Sequence, residues 1–139
     1  MTTLTRRYKF ASSHRMHSPQ LSDEENREVY GKCNNPYGHG HDYVLEVTVH
    51  GPVNETTGRV ASVAMLDAYV RDNVLHLFDH RDMNRDIPAF ADKVPTAENI
   101  AAVIGGILSS GWNAAFPGTE LKRVRIEETR RNFIELRNG

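Results

Sequence analysis

Residues 39–51, HGHDYVLEVTVHG, alternate almost without a break, and no other stretch restricts the fold so tightly. Tyr43, Leu45, Val47 and Val49 share one parity, while Asp42, Glu46, Thr48 and His50 take the other. Side chains two apart on a strand project to the same side, so this pattern requires a strand with one apolar and one polar face. Such a strand needs a sheet covered on one side. If the strand reaches back to residue 39, His39 and His41 fall in line with the apolar row. A second run, LTRRYKFASSH (4–14), puts Leu4, Arg6, Tyr8, Phe10, Ser12 and His14 on one parity and Arg7 and Lys9 on the other. Tyr8 and Phe10 are expected to face the core, with His14 ending their row.

The rest of the chain supplies helices and a closing strand region. In VASVAMLDAYVRDNVLHLF (60–78), Met65, Leu66, Tyr69, Val70, Val74, Leu77 and Phe78 recur at helical spacing. A second helix is expected to open at PTAEN (95–99), with Thr96 as N-cap and Glu98 in the first turn. Its stripe is Ile100, Val103, Ile104, Ile107, Leu108 and Trp112, closed by GW. In LKRVRIEETRRNFIELRNG (121–139), Val124, Ile126 and Glu128 share a parity, so a carboxylate continues an apolar row. Residues 18–40 are rich in turn formers and are expected to form a long loop. GPVNETTG (51–58) reads as a hairpin-like connector and DHRDMNRDIPAF (79–90) as an irregular connection. This order predicts an α+β fold, an antiparallel sheet of four strands with two helices on one face. A sheet that small must blunt its edges or pair them with other subunits.

At 139 residues the chain is expected to be one domain, 1–139. Its 39% hydrophobic and 25% charged residues are ordinary for a soluble globular protein, and no apolar run is long enough to cross a bilayer. A net charge of −1 gives no reason to expect nucleic acid or an anionic membrane as partner. Positive charge is gathered locally instead, at Arg6, Arg7, Lys9, Arg15 and Lys32, which could hold phosphates or form a solvated strand face. One cysteine excludes an intrachain disulfide, and MTTLTRRYKF lacks a signal peptide's apolar stretch, so a cytoplasmic protein is expected.

GKCNNPYGHGHDY (31–43) brings the lone thiol close to two histidines. His39 and His41, two apart on a strand, project the same way, and His14 on a strand of matching parity is the natural third donor. Three histidines with an open fourth position hold catalytic zinc; the plain alternative is a glycine-rich turn with solvated imidazoles. Cys33 could be a fourth ligand closing a structural site, a small buried hydrophobe, or a nucleophile or base. Its polar neighbours argue against burial, and Lys32 with a nearby dication would favour the thiolate. Asp79 precedes His80, as a proton-transfer pair or a surface ion pair. Glu128 could accept hydrogen bonds from a donor-rich ring, or be a tolerated edge-strand glutamate.

Taken in order and spacing, FASSHRMH, LSDEENREVYGKCNNPYGHGHDY, LFDHRDMNRDIPAF, PTAENIA and RIEETRRN make the chain resemble the 6-pyruvoyltetrahydropterin synthase family over nearly its whole length. The resemblance implies the tunnelling fold, in which trimers of four-stranded subunits close a twelve-stranded barrel and two trimers stack into a homohexamer. It implies catalytic Zn2+ on His14, His39 and His41, with Cys33 as proton acceptor. Asp79 and His80 would be a relay pair supplied across a subunit interface, Glu128 would anchor the pterin ring, and Thr96 and Glu98 would fall in the segment lining the pterin pocket. The implied reaction converts 7,8-dihydroneopterin triphosphate to 6-pyruvoyltetrahydropterin with loss of triphosphate and without an external redox cofactor. The sequence departs from the family pattern at Asp42, where asparagine or serine is usual, at Ala97, where a second threonine is common, and in ASVAM (61–65). The nearest rival function is 6-carboxytetrahydropterin synthase of deazapurine (queuosine) biosynthesis, often with a shorter spacing between cysteine and HGH. The other rival is a catalytically silent, zinc-stabilised oligomer that binds pterins.

Overall fold

The computed structural model describes residues 1–138. β1 (Thr2–His14) and β2 (His39–Gly51) form the centre of the sheet, antiparallel in one unbroken register from Thr2↔Gly51 to His14↔His39. The parity rows hold: Phe10, Tyr43, Leu45, Val47 and Val49 are buried on one face. β4 (Glu120–Thr129) adds antiparallel to β2, and β5 (Asn132–Arg137) to β4. The sheet is not the expected four antiparallel strands. β3 (Arg81–Asp82) lies parallel to β1 at Ser12 and Ser13, giving five strands in the order β3-β1-β2-β4-β5. Two residues are too few to carry an alternation, so β3 leaves no mark in the sequence.

Among the described residues, six α-helical segments replace the expected two helices. α1 (Asp23–Tyr30) occupies the stretch expected to be loop. A capping box starts it: Ser22 Oγ accepts from the Glu25 N–H at 3.1 Å, and the Glu25 carboxylate accepts from the Ser22 N–H at 2.9 Å. Asn26 is its one buried residue, with an amide that donates to the Ser18, Leu21 and Ser22 carbonyls, so no apolar stripe announces the helix. A tight 3-10 turn, Gly31–Asn34, follows. α2 (Val63–Val70) passes through a π-helical turn, Arg71–Leu75, into α3 (His76–Phe78). Leu66, Val70, Val74 and Phe78 are buried along it, while Met65 is exposed. After the short α4 (Met83–Asp86) comes α5 (Ala97–Ser110), capped as expected, with Thr96 Oγ1 accepting from the Asn99 N–H at 3.2 Å. Ile100, Ile104 and Leu108 pack with the strand residues in one core. Trp112 does not end α5. Gly111 intervenes, and Trp112 opens α6 (Trp112–Ala115).

The opposite face of the sheet is charged. Glu46, buried in β2, accepts from Arg7 at 2.9 Å, Arg123 at 2.7 Å and Arg125 at 3.1 Å. Arg123 also reaches Glu135 at 3.1 Å, and the Arg125 guanidinium lies 3.9 Å from the centre of the Phe133 ring. One carboxylate thereby ties three strands together and, through Arg123, the fourth. Arg6 belongs to the apolar row but is matched there: it donates to both Asp67 oxygens, at 3.1 and 2.8 Å, beside a 2.8 Å bond from the Tyr8 hydroxyl.

Candidate functional site

His14 ends β1 fully buried. Its Nδ1 lies 2.9 Å from the Pro95 carbonyl and 3.2 Å from the Tyr43 hydroxyl. A carbonyl only accepts, so Nδ1 carries the proton and Nε2 keeps its lone pair. That Nε2 is buried and has no hydrogen-bond partner. Burial, and then the neighbouring His41, push the His14 pKa down to about 4, so the ring is neutral near pH 7. A bare, buried lone pair on an imidazole whose other nitrogen is pinned to a carbonyl is the arrangement of a metal ligand.

His41 faces it from β2, with ring centroids 5.0 Å apart, and its own pKa is lowered by burial and then by His39. His41 Nε2 is 3.8 Å from Cys33 Sγ. The donor atoms of His14, Cys33 and His41 all lie within 4.8 Å of one another. That trio differs from the expected three imidazoles. His39 is the cross-strand partner of His14 and its ring sits 4.5 Å from that of His41, but it stands outside the converging set. It also lines a cavity shared with Arg15 and Lys32. Cys33, on the turn after α1, is half-buried. Burial, and then the Glu128 carboxylate, push the thiol pKa up, with no contribution from Lys32 among the causes.

Glu128 sits where β4 slips in register against β5, between Glu127 and Thr129. It continues the row of Val124 and Ile126, and β4 is an interior strand, so Glu128 is no tolerated edge residue. Burial first, and Glu98 second among the raising influences, lift its pKa, against Asn132, His39 and Tyr43. Its Oε2 is buried without a partner. Burial, Glu128 and Cys33 together hold the Tyr43 hydroxyl firmly protonated. Glu98 is therefore a neighbour of Glu128, as a shared pocket requires, whereas the Thr96 hydroxyl is occupied in capping α5.

Asp79 and His80 are not members of the donor trio and lie beside β1 at Ala11, although His80 and His41 share the wall of one cavity of about 350 Å³. Asp79 Oδ1 accepts from the Ala11 N–H at 2.8 Å, and the His80 N–H donates to the Ala11 carbonyl at 2.6 Å. His80 adopts φ 58°, a left-handed turn that brings its Nδ1 to 3.5 Å from Asp79 Oδ1. The sharp bend that adjacent residues need in order to meet is thus present. The His80 side chain is 81% exposed. Asp79, His80, Asp42, Glu127 and Glu128 line one cavity of about 700 Å³.

The sequence profile of a family described as 6-pyruvoyl tetrahydropterin synthase matches residues 3–139. This chain belongs to that family. It is 43% identical over 134 residues to the 6-pyruvoyl tetrahydrobiopterin synthase of Poecilia reticulata, covering 96% of this chain and 88% of that one. The Homo sapiens protein of the same name is 42% identical, over 94% of this chain and 88% of its own. The solved 6-pyruvoyl tetrahydropterin synthase of Caenorhabditis elegans superposes with a TM-score of 0.89 at 39% identity, covering 99% of this chain and 96% of that one. Within this family's fold, sequence reasoning missed the Pro95 carbonyl and the Tyr43 hydroxyl, which fix His14. Tyr43 could have been found, since it follows His39 and His41 in their own row; a backbone carbonyl 81 residues away has no sequence signal.

Proposed function

We propose that this protein is a metal-dependent lyase converting 7,8-dihydroneopterin triphosphate to 6-pyruvoyltetrahydropterin with elimination of triphosphate. The observation that carries this is the buried, unpartnered Nε2 of His14 facing Cys33 and His41. His14, His39 and His41 would hold Zn2+, leaving Cys33 as a free thiol. A fourth protein donor would close the site and make it structural, which does not suit a family of enzymes. Bound zinc would supply Lewis acidity to the oxygens of the substrate side chain and so acidify the adjacent C–H.

Cys33 takes the proton from that carbon, since it is the one thiol and lies beside His41. Glu128 accepts hydrogen bonds from the pterin ring, a role supported by its bare buried oxygen; Glu98, whose charge acts on Glu128, and Thr96 would line the same pocket. Asp79 and His80 relay protons for the site of a neighbouring subunit, which their exposure at the sheet edge favours. The assembly proposed is a homohexamer of two trimers, each closing a twelve-stranded barrel from single-domain chains in the cytoplasm. Half-exposed Phe133 on the edge strand β5 supports pairing there.

Mass spectrometry of purified protein incubated with 7,8-dihydroneopterin triphosphate tests the reading. The expected products are 6-pyruvoyltetrahydropterin and triphosphate. Release of acetaldehyde would identify the carboxy-forming reaction instead, and unchanged substrate would leave a silent pterin binder.

A further inference from the structure

The basic cluster of the N-terminal region divides in the folded chain. Arg6 and Arg7 are consumed in ion pairs with Asp67 and Glu46. Arg15 and Lys32, joined by Arg27 from α1, converge on a cavity of about 510 Å³ that His39 also lines. Gly31 makes this convergence: its φ of 55° breaks α1 and turns Lys32 back beside Arg27, a backbone state that suits glycine. The buried Asn34 amide anchors the same turn by donating to the Met16 carbonyl at 2.7 Å, and Arg15 Nε donates to the Asn34 carbonyl at 3.2 Å. Among the described residues, no ion pair engages Arg15, Arg27 or Lys32, and Asp23 is the single carboxylate on the cavity wall. Three unmatched cations around one concavity, in a chain of net charge −1, make an anion site. The forked guanidinium groups suit phosphoryl oxygens in particular.

The cavity adjoins the donor group. His39 belongs to its wall, and the His39 ring is 4.5 Å from that of His41, which in turn is 3.8 Å from Cys33 Sγ. An anionic tail lodged here would be continuous with a substrate whose reacting carbon lies at Cys33. We propose that this cavity binds the triphosphate of the substrate, with Arg15, Arg27 and Lys32 on its phosphoryl oxygens. The assignment rests on the lyase reading above. When the C–O bond breaks, the triphosphate leaves with the electron pair, and the same three cations meet its added charge.

The test is calorimetric titration of the metal-loaded full chain with inorganic tripolyphosphate, for wild type, Arg27→Gln, Lys32→Gln and Asp23→Asn, beside KM for the triphosphate substrate. Arg27 and Lys32 are exposed, so neutralising them leaves the fold intact. Each neutral variant is expected to bind tripolyphosphate about ten-fold more weakly, equivalent to about 1.4 kcal/mol, and to raise KM in parallel. Asp23→Asn is expected to tighten binding, added salt to weaken it, and affinity for unphosphorylated dihydroneopterin to stay unchanged. Tripolyphosphate also chelates metal, so the differences between variants decide the outcome. Equal affinities across the four proteins would overturn the proposal. If the affinities differ as expected but the substrate is not turned over, the lyase reading fails and the anion site stands.

Discussion

Replacing Glu46 by glutamine keeps the size of the side chain and removes the one charge that three guanidinium groups share. Glu46 presents one oxygen to Arg123 and the other to Arg7 and Arg125; glutamine offers one acceptor and turns an N–H2 toward a cation. Arg7 is 67% exposed, so its bond is worth little. Arg123 and Arg125 are 23% and 15% exposed, and a charge-assisted bond in that setting contributes about 1.5–3 kcal/mol. Glu135 remains as a second partner for Arg123, and Phe133 still stacks on Arg125, which reduces the loss. The expected destabilisation is about 3 kcal/mol, less than the upper range for a broken buried pair. Glu46→Leu should cost more, because all three cations then lack the acceptor. Urea unfolding followed by circular dichroism at fixed protein concentration reads the difference as a lowered midpoint at unchanged slope. A Glu46→Gln protein within about 0.5 kcal/mol of wild type, the range of an ordinary surface change, would refute this account of the charged face.

Asp67 is held below the usual carboxylate range by its Arg6 hydrogen bond, so its contribution is complete above the unfolded pKa and is lost as pH falls through the folded one. Because the pair is more than a third exposed on the Arg6 side, the Asp67→Asn protein should lose only about 1 kcal/mol at neutral pH and converge with wild type in strong acid; a constant gap at all pH values would count against it. Cys33→Ala is expected to keep its metal, by elemental analysis, while turnover disappears; loss of metal would make the sulfur a ligand. Chelation should abolish turnover yet leave the oligomer intact on size-exclusion chromatography, since the donors sit at strand and turn ends and the core is apolar without them; dissociation would contradict this.

Alternation made the centre of the fold readable. Leu45, Val47 and Val49 could face only one way, and the same row carried His41 toward His14, while the row of Val124 and Ile126 carried Glu128 toward Tyr43. What escaped was structure with no period. α1 is signalled only by its Ser22 and Glu25 box, because it buries an asparagine rather than an apolar stripe. The meeting of Cys33 with His14 and His41 depends on the turn at Gly31–Asn34, whose path no residue spacing specifies. The bond from the Pro95 carbonyl to His14 joins distant segments and belongs wholly to tertiary packing.

The slip between Glu127 and Thr129 places one surplus residue in β4. Removing Glu127 would restore perfect pairing with β5, and Glu128 would then swing to the sheet's arginine-lined side. A lineage could therefore exchange many side chains in this strand, yet losing a single codon would mend the ladder and empty the pocket of its carboxylate.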